Sequence, residues 1–120
     1  MTHKDLIVYK KSQELVGIAY KFIEGLPKKE FDLISQMKKS TFSVPLNIAE
    51  GAGRNFKSQF LFFLNVALGS ITELEAQYQI CLIIEISEPN PELEDKINHV
   101  SRLLVNLIKS LNKKTTPQPN

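Results

Sequence analysis

The 120-residue sequence predicts an all-α fold, an antiparallel up-down-up-down four-helix bundle. The first observation behind this prediction is that apolar residues recur at helical spacing along most of the chain. The second is that only residues 6–9 have a β-like composition, and one four-residue strand makes no sheet. The third is that glycine and proline residues divide the chain into four segments, whose short connections force sequential helices to run antiparallel.

The first helix is predicted over residues 10–24, because two neighbouring apolar stripes run along it. One stripe has 4-3-4 spacing and the other lies beside it: Leu15, Ala19, Phe22 and Leu26 in the first, and Val16, Tyr20 and Ile23 in the second. Gly25 and Pro27 supply the signals that end the helix.

The second helix is predicted from about Lys28 to about Glu50, with a kink at Pro45. Its apolar face consists of Phe31, Ile34, Met37, Thr41, Val44, Ile48 and Ala52. Pro45 has no amide proton, so it removes a helical hydrogen bond at a cost of roughly 3 kcal/mol and usually bends the helix. Because a loop would not preserve the apolar phase across Pro45, the sequence favours a bent helix.

A structural corner follows this bend and consists of Pro45, Asn47, Glu50, Gly51 and Gly53. The two glycines are expected to end the helix, since glycine accepts the left-handed conformation of a C-cap. A phosphate-cradling glycine loop is the rival interpretation, but the strand and the Lys-Ser/Thr pair of a P-loop are missing. The start of the next helix, beside Arg54 and Lys57, is still a plausible anion site.

Two alternatives remain open for the polar corner residues. Asn47 and Glu50 are either solvent-exposed or they lock the corner. In the second case Asn47 donates to a carbonyl freed by Pro45. Glu50 then pairs with Arg54 at i, i+4 spacing.

The third helix is predicted from Asn55 or Phe56 to about Ile86, and the fourth from about Pro91 to Lys113. Each carries an apolar stripe at 4-3 spacing, the seam spacing of packed bundle helices. The stripes are Phe60, Leu64, Ala67, Ile71, Leu74, Tyr78 and Cys81 in the third helix, and Leu93, Ile97, Val100, Leu104, Leu107 and Leu111 in the fourth.

Composition and charge predict one domain over residues 1–113, followed by a disordered tail over 114–120. Hydrophobic residues make up 42% and charged residues 23%, as in an ordinary soluble domain. The single cysteine, Cys81, excludes an internal disulfide and favours a reducing compartment. Because the sequence shows neither a signal peptide nor an apolar run of ~18 residues, we expect a cytoplasmic protein with no membrane partner.

The third helix is more apolar than one buried stripe requires. Apolar side chains left in water would form an adhesive patch. A broad core within one bundle is one interpretation; we favour self-association through helices three and four or one and three. The candidate oligomer interface consists of Leu61, Phe62, Phe63, Val66, Ile83, Ile84, Leu103, Val105 and Ile108.

No residue pattern predicts catalysis, so we expect a protein that is not an enzyme and uses no metal or cofactor. The two histidines have no Cys/His partners at metal-binding spacing, and the Glu-x-x-His pairs of a di-iron bundle are missing. No nucleophile has a base at a recognisable offset.

The basic residues are concentrated in the first half of the chain. Residues 1–60 carry ten Lys/Arg and six Asp/Glu, whereas residues 61–120 carry five and seven. Any single lysine pair on a helix is ordinarily a solvated face, but this clustering suggests phosphate binding. The candidate nucleic-acid-binding residues are Lys38, Lys39, Arg54 and Lys57 first, and Lys10 and Lys11 second.

Four stretches resemble a family of bacterial four-helix-bundle proteins encoded within intervening sequences of 23S ribosomal RNA genes. They are KDLIVYKKSQELV (4–16), LISQMKKST (33–41), SVPLNIAEGAGR (43–54) and FLFFLNVALGSITELE (60–75), and the likeness covers about residues 4–112. Tyr9 stands where the family commonly has Trp. Phe56 and Gln59 replace a Ser-x-x-Glu helix cap, which leaves Asn55 as the candidate cap of the third helix.

The resemblance implies a four-helix bundle that assembles as a ring-like homopentamer. The architecture is also similar to that of the accessory proteins of diversity-generating retroelements, which engage nucleic acid and a reverse transcriptase. The favoured function is therefore a non-enzymatic, homo-oligomeric protein that binds RNA or DNA mainly through phosphates. The alternative is an oligomeric scaffold or adaptor that holds another protein, such as a reverse transcriptase, and binds no nucleic acid.

Overall fold

Four helices account for most of the chain in the computed structural model, which describes residue 3 and residues 6–115. They are α1 (Ile7–Glu24), α2 (Phe31–Ala52), α3 (Lys57–Ile83) and α4 (Pro91–Thr115). No strand occurs within the described ranges. The all-α class that the apolar periodicity predicts is therefore confirmed.

The helices form a ring of four neighbours. In the described part of the chain, α1 packs against α2 and α4, and α3 packs against α2 and α4, whereas the Cα atoms of the diagonal pairs stay more than 8 Å apart. Across the α1–α3 diagonal only side chains meet, as where the Phe22 and Tyr78 ring centroids lie 5.2 Å apart. Contacts between α2 and α3 show that these two run antiparallel, since Gly51 lies beside Phe60 while Ser40 bonds to Glu73. The result is an up-down-up-down bundle with principal extents of 59 × 24 × 20 Å.

The predicted apolar stripes supply most of the core. Its fully buried large side chains include Leu15, Ile23, Met37, Val44, Ile48, Leu64, Ile71, Leu74, Tyr78, Leu93, Val100 and Leu104. Two expectations are wrong: Tyr20 is 41% exposed and Phe31 is 68% exposed. Phe31 is the first residue of α2, and Tyr20 lies at the edge between α1 and α2, where its ring stacks on Phe42.

The first two helices begin at different residues from those predicted. α1 begins at Ile7, three residues early, because the Lys10 amide already donates to the Leu6 carbonyl at 3.3 Å. The β-like residues therefore belong to the first turn of a helix. α2 begins at Phe31 instead of Lys28, since the Glu30 amide donates to the Pro27 carbonyl and closes a turn first.

The bounds of α3 and α4 also differ from the predicted ones. The cap residue of α3 is Phe56 and not Asn55, and no side chain caps its amides. α3 ends at Ile83, three residues before the predicted Ile86, because the chain reverses there in a hydrogen-bonded turn. α4 continues to Thr115, two residues past the predicted domain boundary, and the rest of the predicted tail, 116–120, lies outside the described residues.

Candidate nucleic-acid and oligomer interfaces

The corner after Pro45 is helical. α2 is continuous from Phe31 to Ala52 with Pro45 inside it, which excludes the loop interpretation; the bend itself stays a prediction. The expectation that Gly51 and Gly53 adopt the left-handed conformation is wrong, since no glycine among the described residues has a positive φ. Gly53 caps α2 in the right-handed region, at φ −85° and ψ −2°, and its amide donates to the Ala49 carbonyl at 3.2 Å.

Gly51 has a different function from the one expected. It is buried inside α2, where a Cβ would lie 3.0 Å from Phe60 Cδ1 and 3.2 Å from the Phe60 carbonyl oxygen. Its small size, and not its backbone freedom, therefore lets α2 approach α3.

The polar corner residues form side-chain contacts. Asn47 Nδ2 donates to the Ser43 carbonyl at 2.8 Å, so its acceptor is not the Thr41 carbonyl that Pro45 deprives of a partner. The Ser43 hydroxyl shares a 2.7 Å hydrogen bond with the Ser70 hydroxyl of α3. These contacts tie the corner to α3.

Three of the six basic candidates are already paired. Arg54 Nη2 lies 2.7 Å from Glu50 Oε2, as in the second of the two alternatives left open for Glu50, and the Arg54 guanidinium stacks over the Phe63 ring. Lys38 Nζ lies 3.3 Å from Glu24 Oε2. Pairs as exposed as these are worth at most about 1 kcal/mol, so a phosphate can compete for both cations.

Lys11 belongs to a different charge cluster, one that joins α1 to α4. It pairs with Glu14 at 3.2 Å, and Glu14 also bonds to Lys96 of α4 at 2.6 Å. Hydrogen bonds from Lys96 and then Lys11 lower the pKa of Glu14, which keeps a negative charge beside Lys11. Lys11 is therefore the weakest of the candidates.

The other three candidates, Lys10, Lys39 and Lys57, have no acidic group within 4.0 Å in the described part of the chain. Lys39 is exposed beside Lys38. The Lys38–Glu24 contact sets the antiparallel register of α1 and α2, and this register places Lys10 toward the corner end of α2. The face made by α1 and α2 thus carries cations toward both ends.

The nine interface candidates divide by exposure. Phe62, Val66, Ile83 and Ile84 are exposed, between 37% and 75%. Leu61, Phe63 and Val105 are half-buried, while Leu103 and Ile108 pack partly against the core. Part of the apolar excess is therefore a broad core, as the alternative interpretation held, and this includes Leu68 and Leu82 of α3. The exposed apolar residues of α3 and its end are not part of that core.

α3 carries a second seam on its outward side. Seven residues at 4-3 spacing make this outer seam: Phe62, Val66, Gly69, Glu73, Ala76, Ile80 and Ile83. All seven are exposed, and Glu73 is the one charged member. Such spacing is typical of a helix that packs on another helix. None of the described helices is long and apolar enough to cross a membrane.

Two exposed rings lie at the edge between α1 and α2, which apolar spacing alone did not predict. Tyr20 and Phe42 stack there, with ring centroids 6.3 Å apart and planes 21° apart. Phe42 and Leu46 lie off the buried face of α2 at i, i+4, a signal that was present in the sequence. The position of Tyr20 beside them depends on how α1 docks, which the sequence does not show.

A family model described as 23S rRNA-intervening sequence protein matches residues 4–106 of this chain. No curated protein matches the chain significantly.

Proposed function

The chain belongs to the family of 23S rRNA-intervening sequence proteins, and from this premise we propose that it is a non-enzymatic, homo-oligomeric protein that binds RNA or other nucleic acid through phosphate contacts. The observation that carries the proposal is the α1–α2 face, on which the exposed cations Lys10 and Lys39 have no acidic partner in the described part of the chain. The family description names the 23S rRNA intervening sequence, and for that reason RNA is the first nucleic acid to test.

The start of α3 supports the same proposal. No side chain caps this helix, and its first residue is Lys57. Uncapped amides at a helix N-terminus carry partial positive charge and favour a phosphate. Arg54 precedes them by three residues, so backbone and side-chain donors lie close together at the corner.

Self-association belongs to the proposal because of the outer seam. Burying an exposed Phe or Ile side chain contributes roughly 1.5–3 kcal/mol, and the seam holds four large apolar residues. In the ring of five that the resemblance implies, the formal charge of +2 per chain would total about +10. We place this assembly in the cytoplasm, where its single cysteine stays a thiol.

The outer seam also favours a second candidate function, a protein-interaction scaffold. Its heptad spacing suits a helix from a different protein as well as one from a second copy. The scaffold makes no use of the lysines, so charge reversal separates the two functions.

Salt-titrated binding of a fluorescent RNA hairpin tests the proposal. We expect affinity to fall steeply with salt, and the double variant Lys38→Glu, Lys39→Glu to abolish binding. The matched control is Lys109→Glu, Lys113→Glu, which makes the same charge change on exposed positions of α4 and should retain most of the affinity. No binding at low salt, together with a stoichiometric protein partner that survives nuclease treatment, would establish the scaffold instead.

Light scattering tests the oligomer separately. Ile83→Glu places a charge on the outer seam and should lower the mass, whereas Leu46→Glu, at a residue of similar exposure on α2, should not. A monomer mass for the wild-type protein at micromolar concentration would contradict self-association.

A further inference from the structure

Three exposed apolar residues form a platform where α1 meets α2. Tyr20 and Phe42 are 41% and 37% exposed, and their nearly parallel rings stack across the two helices. Leu46, 67% exposed, lies one turn beyond Phe42 and extends this surface. We call these three residues the aromatic platform.

Two lysines lie beside the aromatic platform. Lys38 Nζ lies 5.1 Å from the centre of the Tyr20 ring, and it pairs with Glu24. Lys39 is exposed three residues before Phe42, on the same outward side of α2. The outer seam of α3 differs, since its only charged member is acidic. The aromatic platform therefore combines flat apolar surface with positive charge.

We propose that the aromatic platform stacks the unpaired bases of single-stranded nucleic acid while the adjacent lysines bind its phosphates. A single strand offers a flat π-face and a negative charge at every nucleotide, and this matches the combination of rings and ammonium groups. A duplex hides its base faces and offers mainly phosphates. The inference rests on the nucleic-acid function proposed above and narrows its ligand to unpaired strands.

Two labelled probes separate stacking from phosphate binding: a uridine oligonucleotide and an RNA duplex with the same number of phosphates. Tyr20→Leu and Phe42→Leu should each weaken binding of the single strand about tenfold and change duplex binding less than about twofold. Tyr20→Phe keeps the ring and should retain the affinity. The matched control, Phe31→Leu, removes an exposed ring at the first residue of α2, outside the platform and the outer seam, and should leave both affinities unchanged.

Tyrosine emission gives a second readout, because the chain has three tyrosines and no tryptophan. The uridine oligonucleotide should quench the emission of exposed Tyr20 and leave that of buried Tyr78 and of half-buried Tyr9, which is not part of the platform. Tyr20→Phe should then lose the quenching while it still binds. Light scattering on Tyr20→Leu and Phe42→Leu shows whether the platform is instead an interface between copies of the chain.

The outcomes distinguish the inference from the function on which it rests. Equal binding of strand and duplex, unaffected by either leucine variant, would overturn stacking and leave phosphate binding intact. No binding of either probe at low salt would overturn both. A lower oligomer mass in Tyr20→Leu or Phe42→Leu would overturn the inference by making the platform an interface between copies.

Discussion

Gly51 of α2 lies directly against Phe63 of α3: a Cβ on Gly51 would come 2.8 Å from Phe63 Cβ. Real Cβ atoms essentially never approach this closely, and Phe60 Cδ1, at 3.0 Å, limits the same space. The two helices are therefore packed as closely as their backbones allow at the corner. This contact positions Arg54, whose guanidinium lies over the Phe63 ring 4.9 Å from its centre.

Gly51→Ala should destabilise the protein by about 1–3 kcal/mol, because the added methyl group must push α2 and α3 apart. The measurement is urea unfolding followed by circular dichroism. Gly17→Ala is the matched control: it lies within α1 with nothing within 4 Å of a Cβ, so it should stabilise by roughly 0.5–1 kcal/mol. Equal effects of both variants would disprove the close-packing argument.

Tyr78→Phe should destabilise the protein by about 1–3 kcal/mol. The Tyr78 hydroxyl accepts a 2.7 Å hydrogen bond from the Asn90 amide and donates one to Glu94, and Asn90 Oδ1 in turn caps the Leu93 amide at 3.0 Å. The variant leaves a part-buried amide at the start of α4 without its partner. Unfolding in urea measures the loss, and Tyr9→Phe, outside this network, is the control.

The same hydroxyl should make stability depend on alkaline pH. Burial raises the pKa of Tyr78 above its ordinary value of 10.0, and the hydrogen bond to Glu94 adds to the rise. The unfolded chain therefore releases this proton at lower pH than the folded protein does. The stabilisation is complete below about pH 10 and is lost as pH rises further. Tyr78→Phe should show a shallower decline above pH 10; parallel curves would contradict the shift.

Glu85→Gly should stabilise the protein by about 1 kcal/mol. Glu85 has φ 60° at the end of α3, where its amide donates to the Leu82 carbonyl and the Ile86 amide donates to the Cys81 carbonyl. Glycine adopts this left-handed conformation without the Cβ penalty. Glu88→Gly, where φ is not positive, should be neutral or destabilising; a gain of equal size there would refute the explanation.

Cys81 should react slowly with thiol reagents in the folded protein. Its side chain is fully buried, with Sγ 3.8 Å from Met37 Sδ, and burial raises the pKa of the thiol. The reactive thiolate is therefore both scarce and inaccessible. A chromogenic disulfide reagent at mildly alkaline pH should label one thiol per chain in denaturant and little without it. Rapid native labelling would show that α3 opens locally.

Much of the bundle could be predicted from one-dimensional spacing. The 4-3 stripe from Phe60 to Cys81 predicts α3 and its buried side, because a helix repeats every 3.6 residues and only one side then faces the core. The same logic correctly carried α2 through Pro45. The i, i+4 spacing offered the Glu50–Arg54 pair as one of two alternatives, and the structure contains this pair.

Positions that depend on a neighbouring helix could not be predicted in the same way. Glycine at position 51 is typical of a helix end, so the sequence suggested that function. Only the close approach of Phe60 and Phe63 shows that the small size of Gly51 is what matters. Tyr20 has the spacing of a core residue, yet the angle at which α1 meets α2 leaves it exposed beside Phe42.

By itself the sequence determined four helices, the buried side of each and the apolar excess of α3, because periodicity within a segment is a local property. Only the tertiary structure decided which lysines are neutralised, that the apolar excess forms an outward seam, and that two rings meet among cations. Each of these relationships joins residues that are distant along the chain, and the docking of whole helices, not any local preference, sets the distance between them.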